Sequence, residues 1–413
     1  MNKNEFRGEQ LKNARQLRGM TITALAELTD ISKQSISLYE NGENKPEYQR
    51  TLALANALHV PTTFFFSEDV CRTETPATYF RSLLSATKLT RNSQSLKLEY
   101  VAKMYEALLE YIDFPALDLP TIEYSGMYDL NDPDSLDAMY RELESVAMKV
   151  REAWNLGDGP IGDLQYILES HGIIVTGFDT TEDDIDAFSQ RTILKNNEVC
   201  FIAVDQVRKP EGRIRFDMAH ELAHLLIHPW SEDIDSLSKE EFKLRETEAN
   251  VFASAFLLPR SSFGREVSNY PTDLEYYLWL RKKWKTSIQA MMYRARQLGC
   301  VTGNQFQYMM RQVSKRGWRK AEPGDSPYAL GENIFQGAID LLLDEKILTG
   351  DGILRLFASY GVNLYPDEIE DLLHIKEGTL ASKEPQAKIV QLKIVRDEAE
   401  DLNETGDHPE FGQ

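Results

Sequence analysis

Apolar residues recur at helical spacing through most of the chain, and the places where that rhythm breaks divide it into pieces. Near the start, Leu11, Ala14 and Leu17 mark an opening helix that Gly19 stops. Thr21 can cap a second helix through Ala24, Leu25 and Leu28, and Ser32 a third through Ile36 and Tyr39 to Asn41-Gly42. Two short helices joined by a tight turn at Asp30-Ile31, the second polar at its start, describe a helix-turn-helix. Phe64-Phe65-Phe66 seals that first core, and Thr73-Glu74-Thr75-Pro76 reads as a turn-rich linker. Residues 96–111 then read as one long amphipathic helix through Leu98, Val101, Met104, Leu108 and Tyr111, able to pack on its own chain, couple the domains or form a homodimer.

The period shortens at 172–176 and 198–204, two β-branched and apolar runs expected as strands of a core sheet or as an edge that an extended substrate can join. Two apolar helices follow. In the first, Met218, Leu222, Ala223, Leu225, Leu226 and Ile227 surround a polar trio; the second buries Ala249, Phe252, Ala253 and Phe256. From residue 325, Leu341 to Leu343, Ile353 to Phe357 and Ile369 to Leu373 predict a small helical domain with breaks at Gly350 and Gly361. The last stretch, from Asp397, is acidic and apolar-poor and is expected to be disordered.

The polar trio in the first apolar helix is His220-Glu221-Leu222-Ala223-His224. Residues four apart share a helix face, so the two imidazoles can grip one metal ion while Glu221 reaches the water beside it. With 7 His in 413 residues, chance yields such a pattern at roughly the one per cent level, so coincidence is a poor account. An exposed amphipathic helix is the plainer alternative. The surrounding apolar residues argue against it, because burying imidazoles and a carboxylate is costly unless they coordinate or pair.

Three residues compete for the third ligand position. His228 would sit about 12 Å along the axis from His220, too far for one ion, and Pro229 ends the helix there. Glu246 is three before Ala249 and seven before Ala253, on the inward stripe of the second helix, whereas Glu248 falls nearer the opposite side; Glu246 is therefore favoured. With zinc (or manganese) lowering a water's pKa toward ~7, Glu221 can take that water's proton and pass it to the leaving amine, which is amide hydrolysis. Asp217 and Asn250 are candidates for supporting the ligands, or ordinary helix polars.

Composition bounds the picture. A chain of 413 residues with 42% hydrophobic content is ample for two or three globular domains. No apolar run approaches the ~18 residues of a membrane span, and three distant cysteines, Cys71, Cys200 and Cys300, argue for reduced thiols, so a cytoplasmic protein is expected. Residues 1–66 carry eight Lys and Arg against seven Asp and Glu, weakly basic for a DNA binder, in a chain of net charge −20. The basic piece from 281 to 320 reads as a solvated helical face, with an acidic partner or nucleic acid as the alternative.

The run from Arg213 through Phe216-Asp217-Met218-Ala219-His220-Glu221-Leu222-Ala223-His224 to His228, with Glu246-Thr247-Glu248-Ala249-Asn250 and Leu257-Leu258-Pro259, resembles the ImmA/IrrE metallopeptidases. The likeness extends over residues 130 to 320, takes in Trp284-Lys285-Thr286-Ser287-Ile288 and Tyr293-Arg294-Ala295, and departs at Asp205, where Asn is expected. It implies His220, His224 and Glu246 as metal ligands, Glu221 as general base, and cleavage of a small helix-turn-helix repressor as the activity.

The first 66 residues resemble the phage-repressor (Xre-like) helix-turn-helix, with its closing Tyr39-Glu40-Asn41-Gly42 and an Asp30 where Gly is usual; Asp tolerates left-handed geometry better than most residues. That likeness implies Ser32, Lys33, Gln34 and Ser37 at base edges, with Leu38 as a further candidate there, and Arg15, Arg18 and Asn41 at phosphates.

The expected fold is multidomain and mainly α: an all-α helix-turn-helix domain (1–68), a linker with a long helix (69–128), an α+β zincin-like peptidase core (129–322), a small helical domain (323–396) and an acidic tail (397–413). The expected function is a DNA-binding zinc endopeptidase that cuts a regulatory protein, a helix-turn-helix repressor, to control transcription. The alternative is a non-proteolytic regulator or antitoxin whose metal domain senses a ligand or binds a partner. Retention of Glu221 favours the enzyme, since a binding-only site needs no general base.

Overall fold

A computed structural model describes residues 5–67, 74–80, 87–178, 186–194, 197–205, 209–229, 237–325 and 330–381, with only the backbone described for 74–80. The linker residue Thr73, Cys71 and the acidic tail lie outside the described residues. Residues 1–381 form one compact unit.

Helices α1 (Gly8–Leu17), α2 (Ile22–Thr29), α3 (Lys33–Glu40) and α4 (Tyr48–Ala57) come first, followed by a 3₁₀ turn at Thr62–Phe66. Thr21 and Ser32 cap α2 and α3 by accepting from the N–H groups of Ala24 and Ser35, satisfying donors that the first turn leaves open. Asp30 takes φ 54°, the left-handed turn between them. Gly8 lets α1 meet the end of α3: a Cβ there would lie 2.1 Å from the Tyr39 carbonyl oxygen.

A mixed sheet follows, with strands β1 (Glu74–Phe80), β2 (Ile173–Phe178), β3 (Ala187–Leu194) and β4 (Asn197–Asp205) in the order β1-β3-β4-β2. β3 pairs antiparallel with β1 and β4, and β2 runs parallel to β4. Residues 74–76, expected in a linker, instead open edge strand β1. Pro76 is tolerated there because an edge strand has one side of its ladder free, and the register shifts between Glu74 and Ala77. The run 198–204 lies in a central strand, hydrogen-bonded on both sides, so no substrate strand can join it.

Helices α5 (Lys88–Leu108), α6 (Pro133–Ala153) and α7 (Leu164–Ser170) lie between β1 and β2 in sequence. After β4 come α8 (Glu211–Ile227), α9 (Lys239–Leu257), α10 (Arg265–Val267), α11 (Leu274–Trp284), α12 (Ile288–Gln297), α13 (Gly303–Lys315), α14 (Ile334–Asp344), α15 (Gly350–Ser359) and α16 (Pro366–Leu373).

The sheet is a wall between two apolar cores. Cys200, Ile202 and Val204 of β4 pack with α6, α8, α9, α11 and α12, while Val199, Phe201 and Ala203 pack with α1, α5 and α14 to α16. Covering both faces explains why β4 is continuously apolar rather than alternating. Burial pushes the Cys200 thiol up to about 12, consistent with a small core residue. The N-terminal helices and the C-terminal helices thus share one core through α5, and Arg18 reaches Glu368 of α16 at 2.6 Å.

Candidate metal centre and helix-turn-helix

Helices α8 and α9 supply the site. Pro210 precedes α8, and its last residue is followed by His228 in an extended conformation with Pro229 behind it. A capping box at Ser238 and Glu241 starts α9. The side chains of His220, Glu221 and His224 are buried among Met218, Leu222, Ala249 and Phe252.

The facing nitrogens of His220 and His224 are 3.0 Å apart, and Glu246 approaches them at 3.5 and 3.4 Å. Three donors held within 4.8 Å of one another suit one cation. A tetrahedral zinc with bonds of ~2.1 Å places its ligand atoms ~3.4 Å apart, so the donor set and its edges fit that ion. Burial raises the Glu246 carboxyl, but hydrogen bonds from His220 and His224 outweigh it and hold the group well below its usual range, ready as an anion.

Glu221 is fully buried and accepts a hydrogen bond from the Ser189 hydroxyl at 2.7 Å. Ser189 belongs to β3, which the apolar pattern did not reveal because Ser189, Gln190, Arg191 and Thr192 interrupt it; no local signal marks its role. Asp217 is buried and lies 3.5 Å from Arg213. Asn250 donates to the Glu246 carbonyl oxygen at 2.7 Å, one turn back on its own helix.

The two residues set aside as ligands have partners of their own. The Nδ1 atoms of His224 and His228 lie 2.8 Å apart, His228 Nε2 is 3.0 Å from Glu248, and Tyr124 donates to the other oxygen of Glu248 at 2.7 Å. Glu248, expected nearer the outer side of α9, is buried, because this histidine and tyrosine receive it. Burial and the neighbouring His224 hold His228 well below the usual histidine range, hence neutral. If His228 donates from Nε2 to Glu248, its Nδ1 is the acceptor facing His224 Nδ1, the arrangement that would turn His224 Nε2 toward His220 and Glu246 as a ligand atom. Tyr124 sits in the stretch between α5 and α6, where no periodicity singled it out.

In the helix-turn-helix, Ser32, Lys33 and Gln34 are exposed at the start of α3, Ser37 and Leu38 are half-buried, and Asn41 is exposed at its end. Arg15 is placed differently. It is buried, paired with Glu40 at 2.6 and 2.8 Å and donating to the Met20 carbonyl. Arg18 donates to the carbonyls of Leu58 and His59 as well as to Glu368. The basic piece is also engaged within the chain: Arg294 with Glu144, Lys283 with Glu266 and Arg316 with Glu275.

Residues 168–296 match the model of a peptidase family described as the IrrE N-terminal-like domain. The chain therefore carries an ImmA/IrrE-type domain. Residues 11–65 match a helix-turn-helix family, so an Xre-type DNA-binding module precedes this metallopeptidase-type domain. No curated protein matches the chain. The IrrE-like match begins in α7 and ends in α12, enclosing β2 to β4 and both metal-site helices. Among the described residues no helix is long and apolar enough to cross a membrane.

Proposed function

We propose that the chain is a DNA-bound, zinc-dependent endopeptidase that cleaves a regulatory protein, a helix-turn-helix repressor, and thereby switches transcription in the cytoplasm. The observation that carries this reading is the set of donors formed by buried His220 and His224 with half-buried Glu246, and buried Glu221 beside them, inside the segment that matches a peptidase family. A bound zinc ion supplies Lewis acidity for the scissile carbonyl and the attacking water. Glu221, steadied by Ser189, takes the water's proton and returns it to the leaving amine. Tyr124, Glu248 and His228 keep His224 in the ligating tautomer, and Asn250 braces the backbone of Glu246.

For the DNA side, Ser32, Lys33, Gln34 and Ser37 on the start of α3 read base edges, with Asn41 at a phosphate. Phosphate contacts by Arg15 and Arg18 require exchanging Glu40 and Glu368 for DNA. The domain limits at residues 68, 128, 322 and 396 belong to the same proposal. The test incubates zinc-loaded protein with small helix-turn-helix repressors encoded nearby, with Glu221→Gln as control. Site-specific cleavage by the wild type alone is expected. Equal loss of substrate in the control, or no cleavage of any such repressor, removes the peptidase reading.

A further inference from the structure

Residues four and eight positions from the candidate ligands on α8 and α9 line a cavity. His220 and His224 of α8 face Glu246 of α9, and one turn farther Phe216 and Asn250 both line a cavity of about 430 Å³. Another turn on, Gly212 and Ser254 line it as well. α8 is followed backwards and α9 forwards along this path, so the helices run antiparallel, and each four-residue step is about 6 Å. The cavity therefore opens about one helical turn from the proposed metal position. Helix α12 closes it with Ala290 and Tyr293.

The walls have a consistent chemistry. Phe216 and Tyr293 supply aromatic faces, and Gln289, Gln297 and Asn250 supply neutral amides. Among the described residues Arg213 is the one charged side chain lining the cavity, and its guanidinium is neutralised by Asp186 at 2.6 Å and Asp217 at 3.5 Å. Gly212 keeps the α12 side close, since a Cβ there would lie 2.8 Å from the Ser287 nitrogen. The Ser254 hydroxyl is buried at this wall and meets no hydrogen-bond partner among the described residues, an arrangement with a cost unless something polar arrives.

We infer that this cavity is the specificity pocket of the site: it receives the substrate side chain next to the scissile bond, and it selects a large uncharged one, aromatic in the first place. The inference rests on the metal-centre reading above. A pocket of a few hundred Å³ with apolar walls and few convergent polar groups is the usual form of such a site. An acidic or basic side chain would lose its hydration there without gaining an opposite charge.

The test needs no known substrate. Zinc-loaded protein is titrated calorimetrically with hydroxamates that differ only in the adjacent side chain: methyl, isobutyl, benzyl or carboxymethyl. The benzyl compound is expected to bind about tenfold or more tighter than the methyl one, and carboxymethyl to bind weaker than benzyl. Ala290→Phe, which fills the cavity from a partly exposed helix position, should bring the benzyl-to-methyl ratio near one, and Tyr293→Ala should lower benzyl affinity; zinc stoichiometry reports that both variants are folded. Equal affinities across the series in the wild type, or a ratio that survives Ala290→Phe, overturns the inference. Benzyl preference in a protein that cleaves no repressor or peptide leaves the pocket standing and removes the hydrolase reading, whereas a chain that takes up no zinc overturns both.

Discussion

The α8–α9 site and the helix-turn-helix place their polar residues in opposite environments. In the first, His220, Glu221, His224, His228 and Glu248 are all buried, and each hydrogen bond leads to the next: Tyr124 to Glu248, His228 and His224. In the second, Ser32, Lys33 and Gln34 stand exposed at the start of α3, where Ser32 caps the helix by accepting from Ser35. Buried polar groups are constrained by their neighbours, because an unmatched one costs stability; exposed ones are constrained by whatever they touch later. One region should therefore fail as a network and the other residue by residue.

The sharpest way to break the contrast is Glu221→Gln, which is expected to cut hydrolysis by about 10²–10⁴-fold while zinc content by elemental analysis stays that of the wild type. His224→Ala comes next: competition with a chelator should show zinc affinity falling by more than the roughly 10–100-fold typical of losing an outer partner. His228→Ala should fall within that roughly 10–100-fold range if the residue acts behind His224 as proposed, and it should broaden or shift the visible spectrum of the cobalt-substituted protein. An unchanged cobalt spectrum would detach His228 from the site.

Lys33→Ala and Gln34→Ala sharpen the comparison from the surface side. Each is expected to weaken specific DNA binding by about 1–3 kcal/mol in a footprint titration and to leave thermal stability within about 0.5 kcal/mol. A large stability loss would mean that α3 is a buried device after all.

The smallest effect concerns Glu169 of α7, buried like Glu248 but held by Gln165 and the Ile334 N–H instead of a histidine. Burial pushes it up to about 7 from a usual 4.5, the hydrogen bonds only partly opposing this. The fold thus favours its protonated form: that stabilisation is fully present below about pH 4.5 and is lost as pH rises through about 7. Glu169→Gln should raise stability by on the order of 2 kcal/mol at pH 8 and little at pH 4, read from denaturant midpoints. Equal shifts at both pH values would contradict the assignment.

Reading the chain for periodicity recovers the elements whose information is local. The helices of the N-terminal motif, the long helix α5, the strands β2 and β4 and the pair α8 and α9 all announce themselves by spacing and caps. β3 does not, because its Ser-Gln-Arg-Thr run satisfies polar groups through partners elsewhere in the chain, and β1 is masked by Pro76. The expected outward position of Glu248 fails for the same reason: a helical wheel does not know that Tyr124 waits 124 positions upstream.

By itself, then, the sequence determined the His220-Glu221-x-x-His224 face, the candidacy of Glu246 one helix later and the capped helices around Asp30, since each depends on neighbours within a few turns. Tertiary structure alone decided that the sheet separates two cores, that Ser189 holds Glu221, that His228 and Glu248 stand behind His224, that Arg18 is tied to Glu368, and that α8, α9 and α12 together line a cavity. Those pairings join residues tens to hundreds of positions apart. Burial makes them necessary, since a polar group removed from water must find a partner, while the fold settles which distant residue that partner is.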